Sequence, residues 1–194
     1  MLNKCGVSFN QEDHTYTLNG KILQGITGMI GRQLFPDKYT NIPKYILDKA
    51  CANGSLVHET CELIDSLGVT SLIPECINYM KLKKEYDLNV LENEYLVTDR
   101  EYFASAIDIV LADYSLADIK TTSKLDMEYL SWQLSIYAYL FEMQNPTLKV
   151  PHLYAIWIRK TERKFIEVKR IPIEVVKELL QCEINHKQFK RQRS

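Results

Sequence analysis

Three charged residues lie on two apolar stretches in the middle of the chain. The segment AIDIVLADYSLADIKTT, residues 106–122, contains Asp108, Asp118 and Lys120. If the two stretches form a hairpin that turns at Asp113 and Tyr114, Asp108 lies opposite Asp118 with Cβ atoms about 5 Å apart. Two facing carboxylates repel each other, but a divalent cation between them makes the pair favourable, because Mg²⁺ prefers oxygen ligands.

Lys120 follows Asp118 by two residues, so both side chains leave a strand on the same face. A lysine beside such a metal can hold a water nucleophile or stabilise charge that develops on a phosphate. The three residues therefore fit metal-assisted hydrolysis of phosphodiesters. The alternative is a solvated strand end at which Asp118 and Lys120 only form an ion pair. The facing of Asp108 and Asp118 depends on the register, since a slip by one residue turns one of them away.

Two stretches with helical spacing carry further polar residues. GSLVH places His58 four residues after Gly54, and QLSIY places Gln133 and Tyr137 four residues apart on one helical face. Taken singly, such residues are also common in proteins without a catalytic site. HETCE resembles half of a zinc-protease motif, but Glu62 stands where the second histidine is required, which excludes that interpretation.

The apolar pattern predicts the elements that hold these residues. Alternating residues around Asn19-Gly20 predict an N-terminal β-hairpin. Helical spacing predicts helices near Thr27 to Leu34, Pro43 to about Leu67 (kinked or divided at Gly54), Ile73 to Tyr86, Leu125 to Met143, and Ile173 to about Gln188. Alternation and β-propensity predict strands over VLENEYLVT, Tyr102 to Leu111, Leu116 to Thr121, HLYAIWIRK and KFIEVKRI. The tail KQFKRQRS is expected to be basic and frayed.

This order of elements predicts a mixed α/β or α+β fold with a central mixed β-sheet flanked by helices. The length of 194 residues suits one domain with one core. Within it, residues 1–42 form an extension with a hairpin and a helix, residues 43–160 the core, and residues 161–194 the last strand, helix and tail. No linker divides these parts.

Composition excludes several classes of protein. A net charge of −1 gives no overall positive field, so binding to a polyanion would require a local basic patch. Five cysteines without a CxxC pair indicate free thiols in a reducing cytosol. No apolar run approaches the roughly 18 residues of a membrane span, and the N-terminus lacks a signal-peptide core. We therefore expect a cytoplasmic protein with no membrane partner.

Together the motifs resemble those of the PD-(D/E)XK nuclease superfamily, in its RecB-like and phage-type exonuclease branch. That branch carries G-x-x-x-H on a helix, G-x-x-D and D-x-K on successive strands, and Q-x-x-x-Y on the next helix. The matching segments here are Gly54 to His58, Ser105 to Asp108, Asp118 to Lys120, and Gln133 to Tyr137. The resemblance covers about residues 43–160 and implies a restriction-endonuclease-like core. It departs from the pattern at Ser105, where glycine is usual.

The resemblance implies a metal site. Asp108, Asp118 and the backbone carbonyl of Ile119 would bind Mg²⁺ or Mn²⁺, and His58 would be a further ligand or would orient one. An additional acidic ligand is expected on the preceding strand, with Glu94 as the candidate.

Glu92 is the rival to Glu94, since alternation places both on the same face. No iron–sulfur cluster is expected, because only Cys182 lies near the C-terminus and such clusters need several cysteines there.

The resemblance also implies catalytic and DNA-binding roles. Lys120 would position and activate the attacking water, while Gln133 and Tyr137 would organise the site and the DNA end. Further phosphate contacts are expected from basic residues on the last two predicted strands and their turn, namely Arg159, Lys160, Arg163 and Lys164.

These expectations describe a metal-dependent DNA exonuclease of phage or prophage recombination or of DNA repair. Homo-oligomerisation, or a single-strand annealing or recombination partner protein, could supply processivity. Two alternatives stay open, namely an endonuclease of the same fold and a non-catalytic DNA-binding or assembly module. Polarity and the choice between single-stranded and double-stranded substrate are also open at this point.

Overall fold

Strands and helices follow one another in the order that the apolar pattern predicts. The computed structural model describes residues 1–11 and 13–191. In that part of the chain the strands are β1 (Ser8–Asn10), β2 (Thr15–Leu18), β3 (Lys21–Gly25), β4 (Val90–Thr98), β5 (Phe103–Leu111), β6 (Leu116–Lys120), β7 (Leu153–Ile158) and β8 (Arg163–Glu167). The helices there are α1 (Ile26–Leu34), α2 (Lys44–Leu67), α3 (Pro74–Glu85), α4 (Met127–Gln144) and α5 (Ile173–Ile184).

The strands form one mixed sheet between two layers of helices. The sheet runs β1-β2-β3-β5-β6-β7-β8, and β4 pairs with β5 off this path. One face carries the larger core, to which α1, α4 and α5 contribute buried side chains. The other face carries a smaller core built with α2 and α3. The predicted α/β class, with a mixed sheet and an N-terminal hairpin, is confirmed.

β5 organises the middle of the sheet. β4 follows one edge of β5 almost from end to end in antiparallel orientation. β3 pairs in parallel with the start of β5 at Phe103 and Ala104, whereas β6 pairs in antiparallel fashion with its end at Ile109 and Val110. Because a strand has only two edges, β3 and β6 share the second one and leave residues 105–108 between them. We call this interval the sheet fork.

The hairpin of β5 and β6 has the predicted register. The last regular pair toward the sheet fork is Ile109 with Ala117, which places Asp108 opposite Asp118 one step further on. The chain turns between the two strands with Tyr114 in the left-handed region, at a φ of 70°. Both carboxylates thus reach the point where β6 diverges from β5.

α2 is one continuous helix of 24 residues, so Gly54 neither divides nor ends it. An alanine at Gly54 would place its Cβ 3.9 Å from Thr121 Oγ1, an ordinary contact. The buried side chains of this helix all lie in its second half, at Val57, Cys61 and Ile64. No side chain of residues 44–55 is buried, so this half, the α2 arm, extends beyond the body of the domain.

The C-terminal segment differs from the prediction in two ways. α5 ends at Ile184 rather than near Gln188, because the chain turns there with His186 at a φ of 53°. The tail is not frayed as far as residue 191, since the Phe189 ring is buried edge-on against Trp132 with ring centroids 5.7 Å apart. Residues 192–194 of the predicted tail lie outside the described residues.

Phe189→Ala should therefore destabilise the fold, although a frayed tail would tolerate it. We expect a loss of about 2–4 kcal/mol in the free energy of unfolding, measured with urea, because a buried ring leaves a cavity. Lys190→Ala is the control, since this neighbouring side chain is exposed and should change little. Equal stability of both variants and the wild type would contradict the packing described here.

Candidate active site

Glu94 and Asp108 meet where β4 and β5 lose their regular alternation. The ladder places Glu94 opposite Asp108 between two regular pairs. Glu94 has a φ of 47°, in the left-handed region that residues other than glycine seldom adopt. On β5, Ile107 belongs to the core beneath α4 and Ile109 to the core beneath α2, so the strand changes face between them. Backbone strain of this kind concentrates at functional sites.

The irregularity separates two carboxylates that a regular strand would keep on one face. Glu92 is exposed, whereas Glu94 is partly buried beside Asp108 and His58. Glu94, Asp108 and His58 each offer a ligand atom, and these atoms lie within 4.8 Å of one another. The structure thus brings Glu94, and not Glu92, together with two of the predicted metal ligands.

His58 connects α2 to both strands of the hairpin. Its Nε2 lies 3.0 Å from the backbone carbonyl of Ile119, which can only accept, so Nε2 carries the hydrogen in this contact. The other ring nitrogen, Nδ1, lies 3.5 Å from Asp108 Oδ2. Two atoms with lone pairs face each other there unless a proton or a metal ion lies between them. Asp108 Oδ2 also accepts from the Ile119 backbone N–H at 2.7 Å, which fixes the carboxylate at the sheet fork.

Asp118 lies at the base of the site and is 1% exposed. Its Oδ2 is 2.5 Å from Lys120 Nζ, and its Oδ1 accepts from Gln133 Nε2 at 2.9 Å. The same Gln133 nitrogen is 2.9 Å from the Tyr137 hydroxyl, so α4 holds one side of the carboxylate. The predicted Gln133 and Tyr137 are therefore next to the predicted Asp118 and Lys120. Asp118 is not among the three residues whose ligand atoms converge within 4.8 Å.

Negative charge is concentrated here with incomplete compensation. Burial, followed by repulsion from Asp108, raises the pKa of Glu94 to about 8. Burial likewise raises the pKa of Asp118 to about 6, although attraction to the Lys120 ammonium opposes this effect. A cation bound between the carboxylates would relieve the repulsion.

Lys120 is held in its charged form. Burial acts to lower the pKa of Lys120, but attraction to Asp118 and Asp108 outweighs it, and the pKa lies above its ordinary value. Its side chain remains 24% exposed, so the ammonium borders both the buried carboxylate and solvent. At neutral pH it can donate hydrogen bonds and stabilise anions, but it cannot accept a proton.

The donor set at the sheet fork fits a divalent cation. Two carboxylates and one imidazole suit Mn²⁺, and their oxygens suit Mg²⁺, which completes its shell with water. His58, Glu94 and Asp108 would hold the ion. The Ile119 carbonyl lies beside these three residues, because it is in contact with His58. Asp118 is a further carboxylate, close enough to Glu94 to raise its pKa.

Tyr16 is a residue of the site that sequence reasoning missed. It belongs to β2 of the N-terminal hairpin, and its hydroxyl lies 3.3 Å from the Ala106 backbone nitrogen within the sheet fork. Burial raises the pKa of Tyr16 and that of Tyr137 on α4. Hydrogen bonding to the Ser105 side chain acts on each tyrosine in the opposite direction and lowers its pKa. The serine at the usual glycine position thus contacts tyrosines from two elements. The signal in the sequence was a tyrosine on a strand far from the motifs, which no spacing rule connects to them.

The predicted DNA-binding cations lie at the start of β8 and in the turn that joins it to β7, the strand next to β6. Lys120 is the register partner of Trp157 on β7, and Arg159 and Lys164 approach the Trp157 ring at 5.8 and 5.2 Å. Arg159 forms an ion pair within its own turn, and Arg163 pairs with Glu85 of α3. Lys160 and Lys164 are exposed. The group of Arg159, Lys160, Arg163 and Lys164 is therefore near the site but partly neutralised by carboxylates.

Comparisons with known proteins were made against families, curated sequences and solved structures. No family model and no curated protein matches the chain. Among solved structures, it is similar to one described as the crystal structure of SSO0001, with 12% identity and a TM-score of 0.49. The superposition covers 88% of this chain and 78% of that one. So low a similarity supports no argument about function, which must come from the residues of the site.

Across residues 1–11 and 13–191, no helix combines the length and the apolar character that crossing a bilayer requires.

Removal of one ligand should weaken metal binding, and the two glutamates of β4 provide a matched test. Glu94→Gln and Asp108→Asn should each weaken Mn²⁺ binding by at least about tenfold, because even partners that only orient ligands are worth 10–100-fold. Glu92→Gln should bind like the wild type. Calorimetric titration with MnCl₂ measures all four proteins. Weakened binding in Glu92→Gln, or unchanged binding in Glu94→Gln, would refute the assignment.

The metal-free protein should lose stability as the pH rises from about 5 to about 8. Glu94 has a raised pKa in the folded state, so the folded protein keeps a proton that the unfolded chain releases near pH 4.5. The stabilisation is complete below the unfolded pKa and is lost as the pH passes the folded pKa. We expect roughly 2–4 kcal/mol over this interval in urea unfolding with a chelator. Glu94→Gln should flatten the dependence and Glu92→Gln should preserve it, whereas equal slopes in all three proteins would contradict the shift.

Proposed function

We propose that the protein is a metal-dependent nuclease that hydrolyses phosphodiester bonds at DNA ends. The observation that carries the proposal is the convergence of three ligand side chains at the sheet fork. His58, Glu94 and Asp108 come from three separate elements, and Lys120 lies beside them through Asp118. The motifs that resemble the RecB-like branch of the PD-(D/E)XK superfamily are the segments that supply this site.

The cost of assembling the site supports a chemical role. A left-handed Glu94, repelling carboxylates and a gap in the sheet all oppose folding, and a protein without a site at this position would have no need of them. The competing explanation, a solvated strand end, requires Asp118 to face water. Asp118 is instead buried between Lys120 and Gln133.

Each polar group has a place in the proposed reaction. When bound, the divalent ion would lower the pKa of an attacking water and neutralise charge on the phosphate. Lys120 positions that water and stabilises the phosphate oxygens as an ammonium, because its raised pKa keeps it charged. In hydrolysis one P–O bond forms as another breaks, the proton lost by the attacking water passes to solvent, which the site borders, and the leaving oxygen takes up a proton from solvent. Gln133 fixes Asp118, which in turn fixes Lys120.

The test is digestion of end-labelled linear duplex DNA and closed circular DNA by the wild type, in Mg²⁺, in Mn²⁺ and in EDTA. We expect metal-dependent loss of the linear substrate alone. Lys120→Ala should reduce the rate by at least about a hundredfold, because a charge stabiliser of the transition state is removed. Lys124→Ala is the matched control, since this lysine follows β6 and is exposed.

Each outcome assigns a function. Cleavage of the circle would identify an endonuclease, and metal-independent DNA binding without cleavage would identify a binding or assembly module. Full activity in Lys120→Ala would refute the catalytic assignment. Because Lys120→Ala leaves Asp118 without its cation, Mn²⁺ binding by the variant serves as the check that the site is folded.

A further inference from the structure

A groove lies between α1 and the start of α4. It is an open depression of about 620 Å³, formed by α1, the segment between α1 and α2, and the start of α4. The residues used below that line it are Arg32, Phe35, Lys38, Tyr39 and Tyr129. The reaction proposed above assigns this groove no role.

Aromatic rings surround a cation in the groove. Lys38 Nζ lies 3.7 Å from the ring centroid of Tyr129, 5.9 Å from that of Tyr39 and 5.4 Å from that of Phe35. Tyr39 is 54% exposed, so a large part of its side chain is accessible to a ligand. At the inner end, attraction to the Lys120 ammonium opposes the effect of burial on the pKa of both Tyr39 and Tyr129. Lys120 is thus close enough to this end of the groove for its charge to act on both tyrosines.

The α2 arm borders the same space. At 3.6 residues per turn, Lys44, Leu47 and Cys51 lie on the helical face that carries His58. Cys51 is close enough to Tyr39 to affect its pKa. No side chain of the arm is buried, so this wall is accessible to a ligand.

The charged side chains that line the groove are the two cations Arg32 and Lys38, without a carboxylate among the lining residues. Lys38 is paired with Asp126 and Arg32 with Glu183, at 2.7 and 2.8 Å. The Arg32 side chain is 59% exposed although that of Glu183 is only 13% exposed, so the guanidinium can donate to a phosphate while it stays paired with Glu183.

We propose that the groove binds an unpaired nucleic-acid strand, with a base stacked on Tyr39 and the backbone phosphates near Arg32 and Lys38. Stacking requires the open face of a base, which only unpaired nucleotides and terminal pairs present. A groove of this volume is within the range of small-ligand sites and holds a few nucleotides rather than a duplex. The inference rests on the proposed nuclease function, since it names the strand that would reach Lys120.

Fluorescence anisotropy with a labelled oligothymidine and with a blunt duplex of equal length, both in EDTA, tests the proposal without cleavage. We expect the wild type to prefer the single strand. Tyr39→Ala should weaken single-strand binding by at least about fivefold, because stacking on an aromatic ring contributes that much, whereas Tyr39→Phe should retain it. Tyr102→Ala is the control, since this tyrosine is 40% exposed with Lys21 at 5.3 Å but lies outside the groove.

Single-strand binding that survives Tyr39→Ala, or a preference for the duplex, would overturn the proposal. So would a concentration-dependent dimer that Tyr39→Ala dissociates while DNA binding is unchanged, because a second copy would then occupy the groove. The assay is independent of the nuclease assignment. Tyr39-dependent binding without cleavage in Mg²⁺ or Mn²⁺ supports strand binding in the groove and refutes the nuclease function. Cleavage without Tyr39-dependent binding supports the nuclease function and refutes strand binding in the groove.

Discussion

Carboxylates of like charge, gathered below the surface at one point of the sheet, are the constraint to which the surrounding structure responds. Glu94 and Asp108 face each other from paired strands, and Asp118 is a neighbour of both. Water would solvate each carboxylate well, but burial and proximity to the other carboxylates raise the pKa of Glu94 and of Asp118. Without Lys120 and the donors from the backbone and Gln133, this arrangement would oppose folding.

The sheet is open at the position of these carboxylates. Between β3 and β6 the second edge of β5 has no strand partner, and side chains satisfy the backbone there. Asp108 accepts from the Ile119 N–H, and the Tyr16 hydroxyl lies at hydrogen-bond distance from the Ala106 nitrogen. A continuous ladder would have used these backbone groups for pairing and would have left no space in which ligand atoms from three elements could converge.

The sequence allowed the elements to be predicted, because they follow from local patterns. Apolar periodicity located the strands and helices, whereas the facing of Asp108 and Asp118 followed from a turn assumed at Asp113 and Tyr114. The conformation of Glu94 was not predictable, since a left-handed residue inside a strand leaves no trace in hydrophobic periodicity, and Glu92 and Glu94 therefore looked equivalent. The predicted end of α5 was wrong for a related reason. Contacts with distant residues, such as that of Phe189 with Trp132, determine the path of the tail.

The role of Tyr16 shows why the N-terminal hairpin belongs to the site and is not an appendage. The motifs cover only the core, yet the hydroxyl at the sheet fork comes from β2 and lies near both Ser105 and the backbone of Ala106. A glycine at position 105 would leave both tyrosine hydroxyls without the serine that Tyr16 and Tyr137 contact. Ser105 of β5 thus lies near both Tyr137 of α4 and Tyr16 of the N-terminal hairpin, and relates these two elements to the same strand.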